Sequence, residues 1–338
     1  MAIERPSVIL HDRWYNGRRG VNIVVHSDLP EDFIDVLEGR FPDVAFTCCR
    51  DYETLPAVLA DVTPEVIYGI RFAGTPGFPR DAIVASKGLK WFSVGGSGTD
   101  HLAPWDPLVL TVTNAAGVAA DMMAQYALGA ALSLSLGFPA FDSNRRDHRW
   151  AHARVAGIDG KTVAIVGLGH TGEAVAQRFK AMGLRVIGTR ANPRPTENVD
   201  QVYGTDQLLD VLALADIVVV CVPLTPATRG LLDSDAIAAM TPGAMVIDVS
   251  RGGVIVGDAL LAGLRSGHMA GAALDVFEQE PLPPDSPFWD LGNVIITPHC
   301  SSEYDGWERR SAEMFCDNLQ RFRSGQPLTN IVDPARGY

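Results

Sequence analysis

Long apolar runs are missing from this 338-residue chain. Its most apolar tract, from Gly117 to Phe141, is broken by Asp121, Gln125, Gly129, Gly137 and Pro139. It therefore falls short of the roughly 18 unbroken apolar residues of a membrane span and is expected to be a buried helix. Cysteine is scarce and unpatterned. Cys48, Cys49, Cys221, Cys300 and Cys316 are odd in number and form no C-x-x-C pair, which argues against a disulfide framework or a thiolate zinc cage. No H-E-x-x-H motif is present either, so no metal site is expected. Positive charge is in deficit, with 28 Lys and Arg against 40 Asp and Glu, a net charge of -12. That balance disfavours nucleic acid and anionic membrane surfaces, both of which are held by clustered Lys and Arg. The start, MAIERPSVIL, lacks the n-region and h-region of a secretory signal, and a reducing cytoplasm is the expected location. Low-complexity segments and solenoid repeats are also lacking.

What is present is an ordinary globular composition, 47% apolar and 20% charged, in a chain too long for a single growing core. Short apolar runs alternate with amphipathic stretches. Strands are expected at Val21 to Val25, Val44 to Thr47, Val66 to Ile70 and Lys90 to Val94, with a helix from about Pro30 to Gly39. A long helix from about Val118 to Leu136 should end at the breaker Gly137-Phe-Pro139, followed by a polar linker or arm from Asp142 to Arg154. A second series then opens, with strands at Val163 to Val166, Leu184 to Thr189, Ile217 to Cys221, Ala244 to Asp248, Ala270 to Leu274 and Val294 to Thr297. The expected fold is α/β, with two doubly wound parallel-sheet domains. One is a Rossmann dinucleotide-binding domain over residues 115–304. The other is a flavodoxin-like substrate domain over residues 1–114 and 305–338, completed by a returning helix from about Ser302 to Arg323.

The most specific motif is Gly167-Leu168-Gly169-His170-Thr171-Gly172. It runs directly out of the apolar strand Val163 to Val166 and into the helical pattern Glu173 to Met182. In that context Gly167 serves a tight turn, Gly169 admits a pyrophosphate to the backbone and Gly172 allows close helix packing, so a dinucleotide is the expected ligand. About 20 residues on, where an NAD-specific site carries Asp or Glu, the chain has Thr189, Arg190 and Arg194, and no acid until Glu197. Two arginines there would attract the 2'-phosphate of NADP(H), which is expected to be preferred, with NAD(H) possible. The bland alternative is that both arginines are solvated surface residues.

Arg251, Glu280 and His299 each lie at or just beyond an expected strand end, the edge where open sheets bind ligands. Their types suit reduction of a 2-oxo acid. Arg251 would hold the carboxylate and polarise the carbonyl, His299 would donate the proton, and Glu280 would keep His299 protonated. Taken singly, each has a structural alternative: a cap or salt bridge, a loop carboxylate, a partly buried histidine. Val94-Gly95-Gly96 opens a second glycine-rich loop whose amides could complete the carboxylate site; a plain turn is the alternative. Phe72, Trp91, Trp105 and Trp307 are candidates to line a substrate pocket, although core packing suits most of them better. Arg71 and Arg80 could meet a second anionic group.

These residues resemble the D-isomer-specific 2-hydroxyacid dehydrogenase family along nearly the whole chain. The resemblance rests on Gly167 to Gly172, Val222-Pro-Leu-Thr-Pro-Ala-Thr228, Ser250-Arg-Gly-Gly253, Gly271 to Pro281 and Thr297-Pro-His299. It implies Arg251, Glu280 and His299 as the catalytic set, and Val94, Gly95 and Gly96 as substrate-binding. It also implies further cofactor contacts from Val222, Pro223, Thr228, Val249 and Ser250, with Asp275 near the nicotinamide carboxamide. A homodimer joined through the Val118 to Leu136 helix is implied as well. Arg190 is like the basic residue of the family's NADPH-using glyoxylate and hydroxypyruvate reductases, whereas Cys300-Ser301-Ser302 departs from the small-residue pattern common after the histidine. The expected partner is a small 2-oxo or 2-hydroxy acid. Alternatives are a non-catalytic dinucleotide-sensing scaffold, like the family's corepressors, or a dehydrogenase for phosphoglycerate, phosphite or a sugar acid.

Overall fold

The computed structural model describes residues 8–9, 21–70 and 75–334; Arg71 and Phe72 lie outside them. In chain order the elements begin β1 Val8–Ile9, β2 Ile23–His26, α1 Ile34–Arg40, β3 Phe46–Cys49 and α2 Leu55–Val62. Next come β4 Val66–Gly69, α3 Arg80–Val84, β5 Trp91–Val94, β6 Thr111–Thr113, α4 Ala120–Ser135 and α5 Phe138–Arg146. The middle of the chain holds β7 Thr162–Val166, α6 His170–Ala181, β8 Arg185–Thr189, β9 Gln201–Tyr203, α7 Leu208–Leu212 and β10 Ile217–Val220. The last are α8 Ser234–Ala239, β11 Ala244–Asp248, α9 Gly257–Arg265, β12 Met269–Leu274, β13 Val294–Ile296 and α10 Trp307–Arg323. The chain divides into two compact units, residues 1–118 with 305–338, and residues 119–304.

The first unit holds five parallel strands in the order β3-β2-β4-β5-β6, with β1 added antiparallel to the β3 edge. Renumbered within the unit, that order is 2-1-3-4-5, the flavodoxin-like winding. β2, β4 and β5 are buried at every position, as strands covered on both faces must be. α10 does return to this unit. Its Phe315 stacks on Tyr68 and Trp91, at 4.7 and 5.2 Å between ring centroids, and Arg309 forms a two-pronged ion pair with Asp35 of α1. The helix starts at Trp307, five residues later than expected, because Gly306 at φ +84° turns the chain into it. Trp91 and Trp105 are core residues and Trp307 packs against the core. Arg80 is engaged by the carbonyls of Leu102, Ala103 and Pro104.

The second unit is a seven-stranded parallel sheet in the order β13-β12-β11-β10-β7-β8-β9. Read from β9, this is the 3-2-1-4-5-6 winding of the Rossmann fold with one strand added at the far edge. Two separate cores fill its faces. One packs α7, α8 and α9 against Ala164, Val218 and Val246, and the other packs α4 and α6 against Val163, Ile165 and Ile217. Besides the two-residue β1, two short strands were not among those expected, β6 in the first unit and β9 here. Each is three residues long with mixed polarity, and pairing with a neighbour defines it rather than its own pattern. Gly137-Phe-Pro139 leads first into α5, and the exposed arm expected after it runs over residues 147–157, which have no helix or strand. Gly137, at φ +72°, ends α4, and Pro139 sits in the first turn of α5, where its missing N–H and fixed φ are favourable.

Candidate functional site

β7 delivers the glycine turn. A side chain on Gly167, at φ +100°, would come within 2.7 Å of Val222, and one on Gly172 within 2.1 Å of the Gly167 carbonyl oxygen. Neither position tolerates a Cβ. Gly169 has nothing within 4 Å of its Cβ direction, so the backbone there is open to a bulky group. The next residue, His170, starts α6, and no side chain caps that helix. Its first-turn amides and dipole therefore suit a phosphate anion. Turn, open face and uncapped helix together fit a dinucleotide pyrophosphate. Within the motif Leu168 plays a structural part, since its side chain is buried and its amide donates to the Thr189 carbonyl at 3.0 Å. The Thr171 hydroxyl lies 3.7 Å from Met123 Sδ.

At the end of β8, Thr189 is buried and Arg190 extends into a recess of about 430 Å³ lined by Glu173, Gln177, Arg194, Thr196 and Glu197. Arg190 Nη1 donates to Glu173 Oε1 at 3.0 Å and to Thr196 Oγ1 at 3.4 Å. Beyond β10, the Thr228 hydroxyl donates to the Pro223 carbonyl at 2.6 Å and accepts the Thr225 amide at 2.8 Å, closing the loop that begins at Val222.

The loops after β11, β12 and β13 bring the three expected catalytic residues to the same edge of this sheet. His299 Nδ1 and Glu280 Oε2 are 2.8 Å apart, both about one-third exposed. Glu280 Oε1 accepts the Phe277 amide at 2.9 Å. Desolvation pushes the Glu280 carboxyl up, but the His299 hydrogen bond, the Phe277 amide and the charges of His299 and Arg251 outweigh it and hold the group below the usual carboxylate range. A carboxylate only accepts, so Nδ1 carries the proton and Nε2 is left to exchange one with a ligand. Arg251 Nη1 donates to the Ser250 carbonyl at 2.7 Å. The Arg251 loop lies hard against the Glu280 loop, since a Cβ on Gly252 would sit 1.9 Å from the Phe277 carbonyl oxygen.

Asp275 organises the histidine loop. Its Oδ1 accepts from Thr297 Oγ1 at 2.6 Å and the Cys300 amide at 2.9 Å, its Oδ2 accepts the Ser301 amide at 3.0 Å, and its carbonyl accepts the His299 amide at 2.8 Å. These contacts hold His299 at φ +55°, a left-handed conformation that costs a non-glycine residue on the order of 1 kcal/mol. Three of about four carboxylate acceptor positions are thus filled within the protein. Asp248, at the end of β11, was not picked out from sequence. It is buried, and its Oδ1 accepts the Ser250 amide and hydroxyl at 2.9 and 2.5 Å. Ser250, expected at the cofactor, thus turns its hydroxyl to Asp248. Burial pushes the Asp248 carboxyl up to about 7, against those hydrogen bonds and with the Asp275 charge adding to the rise. The signal available was an acid closing the strand Ala-Met-Val-Ile, with serine two residues on, the spacing of an Asx turn.

In the other unit, Val94 is buried at the end of β5, and the Gly95 amide is already taken by the Gly69 carbonyl at 2.8 Å. Gly96 alone of the three expected anchors has open space on its Cβ side. His148 and His152 stand four residues apart, but outside any helix. Among the described residues no group of three or more His, Cys, Asp or Glu is placed to hold a metal ion. No helix among them is long and apolar enough to cross a membrane.

A Rossmann sheet with an open glycine turn, and a carboxylate-held imidazole at the same sheet edge, define a nicotinamide-dinucleotide oxidoreductase. Residues 128–301 match the family described as D-isomer specific 2-hydroxyacid dehydrogenase, NAD binding domain, and the chain belongs to the D-isomer specific 2-hydroxyacid dehydrogenases, NAD(P)-dependent oxidoreductases. Among solved structures it is similar to a D-isomer specific 2-hydroxyacid dehydrogenase from Xanthobacter autotrophicus Py2 in complex with NADPH and MES. That likeness has TM-score 0.81 and 34% identity and covers 94% of this chain and 100% of that one. It is also similar to the NADPH-dependent glyoxylate/hydroxypyruvate reductase of Sinorhizobium meliloti, in complex with NADP and sulfate, with TM-score 0.81 and 29% identity over 94% of this chain and 100% of that one. A D-3-phosphoglycerate dehydrogenase of Methanocaldococcus jannaschii is 30% identical over 93% of this chain, which spans 59% of that protein's length.

Proposed function

We propose that this protein reduces a short 2-oxo acid of the glyoxylate or hydroxypyruvate type to the D-2-hydroxy acid, with NADPH favoured over NADH. The observation that carries the reaction type is the His299–Glu280 pair at 2.8 Å beside the Arg251 loop. A nicotinamide dinucleotide held on the Gly167 to Gly172 turn would supply the hydride that reduces the carbonyl carbon. His299 gives the Nε2 proton to the carbonyl oxygen, and in the reverse direction takes it from the hydroxyl. Glu280 accepts from Nδ1, orients the ring and offsets the charge of its protonated form. Arg251 holds the substrate carboxylate and polarises the carbonyl. NADPH preference is supported by Arg190 and Arg194 in the recess at the β8 end, and by the NADP(H) bound in the Xanthobacter and Sinorhizobium relatives.

A homodimer in a reducing cytoplasm completes the proposal. α5 buries none of its residues, and Phe138, Trp150 and Val155 are at least half exposed, an apolar surface that a second copy of the chain would cover. Light scattering after size exclusion should give twice the chain mass.

The deciding assay follows absorbance of the reduced cofactor with glyoxylate, hydroxypyruvate, pyruvate, phenylpyruvate and 3-phosphohydroxypyruvate, each with NADPH and NADH. Fast turnover of the two-carbon or three-carbon acids with NADPH is expected. Turnover confined to the phosphorylated acid would transfer the assignment to the phosphoglycerate type, and silence in every arm would favour a dinucleotide-sensing scaffold. His299→Ala should lower turnover about 10²- to 10⁴-fold while cofactor affinity stays nearly intact, and an unchanged rate would remove His299 from the chemistry.

A further inference from the structure

The end of β8 presents an arginine where an NAD site carries a carboxylate, yet the recess around it is not purely basic. Glu173 enters it from the first turn of α6 and meets Arg190 at 3.0 Å. The Arg190 side chain is 21% exposed and that of Glu173 43%, so the pair sits at the mouth of the recess without being fully screened by water. Arg194 and Glu197 also line the recess. Its lining therefore carries two cations and two carboxylates, with no net charge.

This arrangement acts oppositely on the two cofactor forms. A dianionic 2'-phosphate needs the Arg190 guanidinium but finds it already paired, with a carboxylate alongside that repels the phosphate. A ribose 2'-hydroxyl has the reverse experience, because a carboxylate is the acceptor such a hydroxyl is given in NAD sites. We propose that Glu173 sets the cofactor discrimination of this protein. Its carboxylate supplies, from α6, the acid missing at the β8 end, which keeps NAD(H) usable and restrains the preference for NADP(H). The proposal rests on the reading that this recess receives the adenosine ribose, and it deepens that reading.

The test is calorimetric and needs no turnover. Adenosine 2',5'-bisphosphate and ADP-ribose are titrated into the full chain as wild type, Glu173→Gln and Arg190→Ala. For Glu173→Gln, affinity for adenosine 2',5'-bisphosphate should rise about 3- to 10-fold, while affinity for ADP-ribose falls by a similar factor. Opposite signs are the signature, because a general loosening of the α6 start moves both probes the same way. Changes of the same sign, or shifts under about twofold for both probes, would overturn the role of Glu173. Arg190→Ala separates this result from failure of the underlying reading. If it weakens adenosine 2',5'-bisphosphate binding while Glu173→Gln does nothing, only the inference falls. If neither wild type nor Glu173→Gln binds the bisphosphate, the reading falls and takes the inference with it.

Discussion

Asp275→Asn isolates the device that holds His299. The substitution conserves shape but replaces one acceptor oxygen by an NH₂ donor. In either amide orientation, one side of the group must face a backbone N–H that now meets a carboxylate oxygen, the Cys300 amide at 2.9 Å or the Ser301 amide at 3.0 Å. The preferred orientation keeps the oxygen toward Thr297 and Cys300, so the Ser301 amide loses its acceptor inside a buried site. A lost charge-assisted hydrogen bond, together with an unsatisfied buried donor, costs about 2–3 kcal/mol. In a unit spanning residues 119–304, that lowers the melting temperature by about 5–10 °C. Because the same contacts hold His299 in its left-handed conformation, turnover should fall about 10²-fold as the imidazole leaves its position. Thermal unfolding and initial rates with NADPH and the best 2-oxo acid measure both effects. A melting temperature within 1 °C of wild type and an unchanged rate would refute the assignment of Asp275 as the organiser of this loop.

Three other perturbations probe the same edge of the sheet. Asp248, with its pKa raised by burial to about 7, binds a proton in the fold that the unfolded chain has released. Stability should therefore decline as pH rises from about 4 to 7, by at most about 1.4 kcal/mol per pH unit. Asp248→Asn should gain on wild type in urea unfolding between pH 5 and pH 8, and a difference equal at both pH values would count against that coupling. Glu280, whose pKa is depressed, contributes its stabilisation above the ordinary carboxylate range and loses it only as pH falls through the lower folded value. Across pH 5–9 that contribution is fully present, so Glu280→Gln should lower the melting temperature by the same small amount throughout, about 1–2 °C for a pair this exposed, while reducing turnover about 10- to 10²-fold; retained turnover would show that the pair is ornamental. Gly169→Ala introduces a methyl into open space, so the melting temperature should hold while cofactor affinity drops at least about tenfold; intact affinity would place the pyrophosphate elsewhere.

Much of the site could be read along the chain because its parts are local. The turn from Gly167 to Gly172 is six consecutive residues between one strand and one helix; Gly167 and Gly172 answer contacts made within that unit or with the adjacent β10 loop, and Gly169 faces open space. Arg251, Glu280 and His299 were legible for a related reason. Each follows an apolar strand, and a parallel sheet sends all its strand ends to one edge. Net charge and the interrupted apolar tract are likewise properties that need no fold.

Other features took their form only from contacts between residues far apart in sequence. β6 and β9 are too short and mixed to declare themselves, and exist because β5 and β8 pair with them. Pro139, a helix breaker by local rules, instead starts α5 because Gly137 turns the chain in the left-handed region. The roles of Asp275 and Glu173 depend on partners 17 to 26 residues away, which the sheet brings within hydrogen-bond reach. Which elements form, and which residue types can do chemistry, follow from short-range pattern and propensity. Which carboxylate holds which loop depends on how distant segments desolvate one another, and only the folded sheet decides that.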